Sequence, residues 1–266
     1  MVKTVIIGAA GRMGRLLVSN VMDDAKMTLH GAVEMVGNPT IGQDAGTIAG
    51  IAQTGVNISD DLSAALEGAD AVIDFSFADG AIANTKLAVE KGVGVILGTT
   101  GLSQDQKDQL QEFSKNGKIV FAPNMSVGVN VLFYLCEQAG RLLSDYDIEI
   151  VEAHHRHKKD SPSGTAIGLA EAVCSTSGHD VETDLVHGRE GMVGARTKKE
   201  VGMHAIRGGD VVGDHTVMFM TDGERVELTH KASTRQAFTS GALKAAKFLQ
   251  GKEDGLYNMR NVLGLE

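Results

Sequence analysis

The amino-acid sequence predicts an α/β protein with two domains: a doubly wound parallel sheet, and an α+β domain whose sheet is mixed or antiparallel. In the first half, short apolar runs alternate with helical patterns, which indicates strands buried on both faces of a parallel sheet. A glycine-rich turn separates the first strand from the first helix. From residue 200 onward the sequence alternates and is interrupted by Gly-Gly-Asp, Gly-Asp and Asp-Gly-Glu, which are hairpin signals.

The first half alternates strand and helix in a regular order. The apolar residues of its helices recur at three- and four-residue spacing, whereas its strands are continuous apolar runs. The predicted strands are Lys3–Ile7, Thr28–Glu34, Ala71–Phe75, Gly94–Leu97 and Lys118–Phe121, and the predicted helices are Gly11–Met22, Asp79–Lys91 and Ser103–Asn116.

The pattern changes after Pro123. Val129–Leu143 and Gly164–Cys174 read as helices on either side of a strand at Asp147–Ala153, and Glu200–Ala232 reads as a hairpin and meander region. A last helix at Gln236–Leu249 is expected to return to the first domain. We therefore expect one domain of residues 1–127 and 235–266 and a second domain of residues 128–234.

Composition limits the classes of function. The chain has 266 residues, which suffices for two modest domains, and a formal net charge of −9, which argues against a general nucleic-acid or membrane binder. No apolar run approaches the roughly 18 residues of a membrane span. The two cysteines, Cys136 and Cys174, lie in helical patterns and fit a reducing compartment. We expect a soluble, cytoplasmic protein.

The turn after the first strand carries the first functional signal. In Gly8-Ala9-Ala10-Gly11-Arg12-Met13-Gly14, the first glycine permits a tight turn, the second a close approach of a pyrophosphate, and the third close packing of helix on strand. Phosphate would then lie at the positive end of the helix. Glu34 ends the second strand, where a carboxylate can accept hydrogen bonds from the ribose hydroxyls. The arrangement predicts dinucleotide binding, although the spacing is GxxGxxG rather than GxGxxG.

Two further loops follow strands of the same sheet. They are GTTG, Gly98–Gly101, and APNMS, Ala122–Ser126. Ligands of open α/β sheets lie outside the carboxyl ends of the strands, so these loops are expected to line the cofactor crevice. The alternative is that both are ordinary connections.

The stretch Glu152–Ala166, EAHHRHKKDSPSGTA, concentrates basic and titratable residues in an acidic chain. A zinc site is disfavoured because adjacent histidines of a strand point to opposite sides and the neighbouring cations repel a metal ion. A nucleic-acid patch is disfavoured because only 4% of the residues are aromatic and the protein is acidic. A solvated charged loop remains possible. The sequence favours a loop that binds an anion and donates protons, with Ser163 capping the next helix.

These motifs together resemble the dihydrodipicolinate reductase family of the lysine and diaminopimelate pathway. The resemblance rests on GAAGRMG, GTTG, APNMSVGVN, EAHHRHKKDSPSGTA, GREG and HKASTRQAF, in the expected order over nearly the full length. It implies a Rossmann domain completed by a C-terminal helix, and a mixed domain that binds substrate and assembles a homotetramer. It also implies hydride transfer from NADH or NADPH to a small cyclic imine dicarboxylate, with no metal.

The resemblance assigns roles to individual residues. His154 and Lys158 match the family's proton-handling positions, and His155, Gly164 and Thr165 match substrate-binding positions. The positions that match cofactor-binding residues are Gly8, Ala9, Ala10, Gly11, Arg12, Met13, Glu34, Gly98, Thr99, Thr100, Ala122, Pro123, Asn124, Met125 and Phe238.

Two departures concern the choice of cofactor. Some relatives place an arginine directly after the ribose-binding acid, where it can meet the 2′-phosphate of NADPH, but here that residue is Met35. We therefore expect use of both cofactors with a preference for NADH. Phe77 also stands where some relatives carry arginine, so no cofactor contact is assigned to it. The alternatives are another nicotinamide oxidoreductase of the same architecture and a non-catalytic NADH-sensing regulator.

Overall fold

The structure is a computed structural model that describes residues 1–265. Its strands are β1 (Val2–Ile7), β2 (Met27–Val33), β3 (Ile58–Ser59), β4 (Ala71–Asp74), β5 (Gly94–Leu97), β6 (Lys118–Phe121), β7 (Asp147–His154), β8 (Leu185–His187), β9 (Val201–Arg207), β10 (Gly213–Thr221), β11 (Glu224–Ala232) and β12 (Gly255–Tyr257). Its helices are α1 (Arg12–Asp23), α2 (Ala45–Ala49), α3 (Leu62–Ala65), α4 (Ala78–Glu90), α5 (Gln104–Phe113), α6 (Val127–Leu142), α7 (Gly164–Ser177), α8 (Gln236–Phe248) and α9 (Met259–Leu263).

The chain forms two compact units. One comprises Met1–Val127 with the segment from Gln236 onward, and the other comprises Gly128–Arg235. No helix in the described part of the chain is long and apolar enough to cross a membrane.

The first unit is built on a seven-stranded parallel sheet with the order β12-β6-β5-β4-β1-β2-β3. Successive residues of β1 face opposite sides: Ile6 packs in the core layer with Leu17 of α1, whereas Val5 packs in the other layer with Leu110 of α5. Helices therefore cover both faces, and the doubly wound parallel sheet is confirmed. The chain order reverses direction at β1 and β4, which is where ligands of such sheets bind.

The second unit carries a five-stranded mixed sheet with the order β11-β10-β7-β9-β8. Its core lies between one face of this sheet and helices α6 and α7, where Ile148, Ile150 and Phe219 meet Leu132 and Leu169. The mixed sheet is therefore confirmed.

The expected meander over Glu200–Ala232 is wrong in part. Strands β10 and β11 do form an antiparallel hairpin, but β7 is inserted between β9 and β10 and pairs parallel with β9 and antiparallel with β10. Alternating apolar residues and turn residues indicate where strands lie and where the chain reverses. They do not indicate which strands pair with each other in the sheet.

Candidate functional site

The glycine turn has the conformation that its sequence predicts. Gly8 adopts a positive φ of 70°, and the Gly11 N–H donates to the Gly8 carbonyl at 2.9 Å, which closes the turn. A Cβ on Gly14 would lie 2.0 Å from the Gly8 carbonyl oxygen, so only glycine allows helix α1 to approach β1 this closely. The turn and packing roles predicted for Gly8 and Gly14 are confirmed.

The N-terminus of α1 is open to an anion. Gly11 precedes the helix without a side-chain cap, and the first turn contains no acidic residue. In contrast, Ser103 caps α5 and Ser163 caps α7 through side-chain hydrogen bonds. The first N–H groups of a helix lack intrahelical acceptors and lie at its positive end, so α1 begins with the chemistry that a phosphate requires.

Glu34 lies beside the same turn. Its Oε1 accepts from the Ala10 N–H at 2.8 Å, and its Oε2 accepts from Asn38 Nδ2 at 3.1 Å. A carboxylate has acceptor capacity beyond these bonds, so the contacts leave it able to accept further hydroxyl donors. Met35, the next residue, is 74% exposed and offers no cation.

The loops after β4 and β5 interlock. The Thr99 hydroxyl donates to the Ser76 carbonyl at 3.0 Å, and a Cβ on Gly98 would lie 2.3 Å from the Phe75 ring. Buried Asp74 accepts from the Ser76 N–H at 2.7 Å. These bonds fix the carboxyl ends of both strands, and Thr100 is exposed beside them.

The loop after β6 is held against α8. A Cβ on Gly241 would lie 1.7 Å from the Met125 carbonyl oxygen, and Met125 itself is buried. Asn124 accepts from the Ser126 N–H at 2.9 Å, and the Ala122 N–H donates to Leu97. Pro123 is exposed at the loop tip, and Phe238 is half-buried in the first turn of α8.

In the second unit, β7 ends at His154, and its alternation places Glu152 and His154 on one face of the strand. The Glu152 side chain is fully buried and His154 is 8% exposed. His154 Nδ1 lies 2.7 Å from Glu152 Oε2. Arg207 of β9 donates two hydrogen bonds to the Glu152 carboxylate, at 2.8 and 2.7 Å, and the Ser163 N–H donates a further one at 3.0 Å.

These contacts decide the charges of the pair. Burial raises the pKa of Glu152, but hydrogen bonds from Arg207, His154 and Ser163 outweigh burial and hold that pKa below its ordinary value. Burial lowers the pKa of His154, and the neighbouring Glu152 only partly offsets this effect. Near neutral pH the carboxylate is therefore ionised and the imidazole is neutral.

A second buried histidine adjoins the first. The ring centroid of His215 lies 5.2 Å from that of His154, and its Nε2 lies 3.1 Å from the Ser163 hydroxyl. Burial and the nearby His154 lower the pKa of His215 to about 4. Its Nδ1 is buried and has no hydrogen-bond partner within residues 1–265. On the adjacent strand His230 lies opposite, and burial lowers its pKa also.

The remaining residues of the charged loop divide by exposure. Lys158 is mostly buried and its Nζ lies 2.9 Å from Asp160 Oδ2, whereas Arg156 and Lys159 are exposed. His155 is half-buried, and its Nδ1 is a buried atom that lacks a partner in the described part of the chain. That unpaired nitrogen fits a group that meets a bound ligand.

The N-terminus of α7 is partly used by the protein itself. Ser163 caps the helix by accepting from the Ala166 N–H at 3.2 Å, as its sequence position predicts. The Ser163 N–H is taken by Glu152, so neither group is available to a substrate. Gly164 is exposed with open space around its Cα, and Thr165 follows half-buried.

Residues outside the predicted set complete this cluster. Glu152 belongs to the quoted motif, and its two-residue spacing from His154 was a usable signal. Arg207 and His215 come from strands more than 50 residues further along the chain, and no local pattern marks them.

No group of three or more His, Cys, Asp or Glu side chains within residues 1–265 has the arrangement of a metal site.

Comparison with known proteins gives a single family over both units. A model described as dihydrodipicolinate reductase, N-terminus, matches residues 2–125, and one described as dihydrodipicolinate reductase, C-terminus, matches residues 128–263. The 4-hydroxy-tetrahydrodipicolinate reductase of Cupriavidus pinatubonensis is 50% identical over 98% of both chains. That of Thiobacillus denitrificans is 48% identical over 100% of this chain and 99% of its own.

Solved structures agree in fold. The dipicolinate-bound dihydrodipicolinate reductase from Paenisporosarcina sp. TG-14 matches with a TM-score of 0.76 at 22% identity over 98% of both chains. An amine dehydrogenase from Mycobacterium smegmatis matches with a TM-score of 0.64 at 13% identity, over 97% of this chain and 95% of its own. The likeness to the second shows that other enzymes share the architecture, whereas the two family models and the full-length relatives discriminate among them. The chain belongs to the dihydrodipicolinate reductase family.

Proposed function

We propose that the protein catalyses the NAD(P)H-dependent reduction of 4-hydroxy-tetrahydrodipicolinate to tetrahydrodipicolinate in lysine and diaminopimelate biosynthesis. Its relatives of about 50% identity carry the corresponding name over their full length. The observation that carries the proposal is the buried Glu152–His154 pair beside Lys158 at the N-terminus of α7, in a chain whose other unit presents an uncapped glycine turn.

The first unit has the features that a nicotinamide dinucleotide requires. The open N-terminus of α1 suits its pyrophosphate, and the Glu34 carboxylate beside Ala10 suits a ribose. The loops that contain Gly98–Thr100 and Ala122–Met125 lie at the carboxyl ends of the neighbouring strands, and we assign Phe238 to the nicotinamide end. The bound cofactor supplies a hydride. We propose residues 1–127 and 235–266 as the dinucleotide-binding domain.

The second unit, residues 128–234, is proposed to bind the dicarboxylate and to handle the proton. Lys158 is the proposed proton donor and His154 the proposed proton donor/acceptor, because each is a titratable group held in place by a carboxylate, Asp160 and Glu152 respectively. His155, Gly164 and Thr165 are the proposed contacts of the substrate carboxylates. Lys158 would also stabilise negative charge that builds on the substrate as hydride arrives.

Removing Lys158 tests the proposal. In an NADH-oxidation assay with 4-hydroxy-tetrahydrodipicolinate, generated by the enzyme that precedes this step, the wild type is active. Lys158→Ala lowers kcat on the order of 10²-fold or more, because a general acid is lost. Lys159→Ala is the matched control, since that neighbouring lysine is exposed, and it keeps its activity.

A failure of the proposed reaction and a failure of the role proposed for Lys158 give different results in this assay. A wild type that does not reduce this substrate removes the proposed reaction. An active wild type with a fully active Lys158→Ala variant keeps the reaction and removes Lys158 as the proton donor.

We propose that the enzyme uses both cofactors and prefers NADH. The residue after Glu34 is an exposed methionine, and the basic residue of the glycine turn is Arg12. A 2′-phosphate would lack the arginine that usually receives it. Steady-state kinetics with each cofactor decide this, and a preference for NADPH of about a hundredfold in kcat/KM, about 2.7 kcal/mol, would contradict it.

We also propose that the protein is a homotetramer. This assignment rests on the family resemblance alone.

A further inference from the structure

We infer that Glu152 and Arg207 act together as positioning residues for His154, holding the proton of its imidazole on Nδ1 and leaving Nε2 as the atom that exchanges a proton with the substrate. This inference rests on the proposed function, in which His154 meets the substrate. It goes further by assigning the reacting atom and the two residues that select it.

The selection of Nδ1 follows from hydrogen-bond chemistry. An ionised carboxylate only accepts hydrogen bonds, and Glu152 Oε2 lies 2.7 Å from His154 Nδ1. Nδ1 must therefore carry a proton in both the neutral and the cationic imidazole. Nε2 is the nitrogen that gains and loses the other proton.

Besides His154, two residues fix the orientation of the Glu152 carboxylate. Arg207 binds both oxygens in a two-pronged contact, and the Ser163 N–H binds Oε1. The Arg207 Nη2 also donates to the Asp160 carbonyl at 2.8 Å, which ties the guanidinium to the loop that carries Lys158. A carboxylate held in this way cannot rotate away from His154 without breaking several charge-assisted bonds.

The space beside Nε2 is kept open by a glycine. Gly213 begins β10, and a Cβ at this position would lie 3.0 Å from His154 Nε2. Its φ is not positive, so an alanine is compatible with the backbone. A side chain at residue 213 would therefore crowd His154 Nε2, whereas the strand backbone itself does not require glycine at this position.

Arg207 also sets the charge that His154 meets. Arg207 offsets the negative charge of Glu152. The carboxylate can therefore orient the imidazole without raising the pKa of His154 enough to keep a second proton on the ring. Asp160 is paired with Lys158, and the first turn of α7 contributes no acidic residue. The titratable and charged groups that face this site are Glu152 from β7, Lys158 and Asp160 from the following loop, Arg207 from β9, His215 from β10 and, behind His215, His230 from β11.

The first test needs no variant and no turnover. Nitrogen-15 NMR of the histidine side chains, recorded on the intact protein above the titration of His154, is expected to show a protonated Nδ1 and an unprotonated Nε2. A neutral His154 protonated on Nε2 would overturn the inference. Since the readout is independent of activity, it stands or falls separately from the proposed reaction.

The second test changes the charges one at a time and follows the titration of His154 by the same NMR signals. Arg207→Gln leaves the carboxylate without its cation, so the pKa of His154 rises by about one pH unit. Glu152→Gln leaves the cation without its carboxylate, so the pKa of His154 falls. Glu149→Gln, on the opposite face of the same strand, is the matched control and leaves the titration in place.

The opposite shifts distinguish positioning from a general loss of structure, which would move all signals together. Arg207→Lys, which keeps the charge, is expected to restore the titration close to that of the wild type. Shifts in the same direction for Arg207→Gln and Glu152→Gln, or no shift in either, would overturn the inference. If either variant fails to fold, Gly213→Ala serves instead. This variant is expected to keep the proton on His154 Nδ1 and to lower kcat about tenfold with KM little changed. An unchanged kcat would overturn the assignment of Nε2.

Discussion

Glu149 and Glu152 lie three residues apart on β7 and therefore face opposite sides of the same sheet. Both are buried, and each carboxylate contacts a histidine at 2.7 Å, His204 in one case and His154 in the other. Each also receives a two-pronged contact from an arginine, from Arg189 and from Arg207 respectively. The two sites use the same chemistry at matched positions.

The sites differ in how many cations surround each carboxylate. Glu149 binds Arg189 and also Arg196, and although its burial raises its pKa, these partners and His204 lower it to about 2. Both arginines come from the exposed segment between β8 and β9, so Glu149 fastens that segment to the sheet. Glu152 has one arginine and a histidine shielded from solvent. Two pairs with the same contacts therefore differ in what they can do: the Glu149 pair anchors a surface segment, whereas the Glu152 pair, with a single arginine and a buried histidine, is the candidate for proton transfer.

The largest expected effect concerns stability. Arg207→Met leaves Glu152 fully buried without a cation, and loss of one partner of a buried ion pair costs about 3 kcal/mol or more. Arg189→Met leaves Glu149 with Arg196 and His204, so its cost should be nearer to 1 kcal/mol. Equilibrium urea unfolding of both variants measures the difference. Equal losses of the free energy of unfolding would contradict the distinction between the two sites.

The sequence predicted most of the first unit and the position of the charged loop. Strands β5 and β6 have the predicted bounds, because each is a four-residue run rich in β-branched residues and too short for a helix. Strands β3 and β12 are two and three residues long, too short for any period to be visible, and helix α9 was also missed. The two strands form because a sheet already exists beside them.

The candidate site was predictable only where it is local. His154, Lys158 and the Ser163 cap lie within one continuous motif. Arg207 reaches Glu152 across 55 residues, and this contact depends on β9 lying next to β7, which the sequence did not reveal. The alternative that the protein is another nicotinamide oxidoreductase of this architecture loses support, because both halves match one family.

The role of Glu152 is tested most directly by the turnover of two isosteric variants, Glu152→Gln and Glu149→Gln, assayed with the proposed substrate under saturating NADH. We expect Glu152→Gln to lower kcat at least about tenfold, because an amide can donate as well as accept and no longer fixes the imidazole proton on Nδ1. Glu149→Gln is expected to stay close to the wild type. Circular dichroism of both variants controls for folding. A folded Glu152→Gln variant with wild-type kcat, or equal losses in the two variants, would contradict the claim that the Glu152 face of β7 is where the proton is handled.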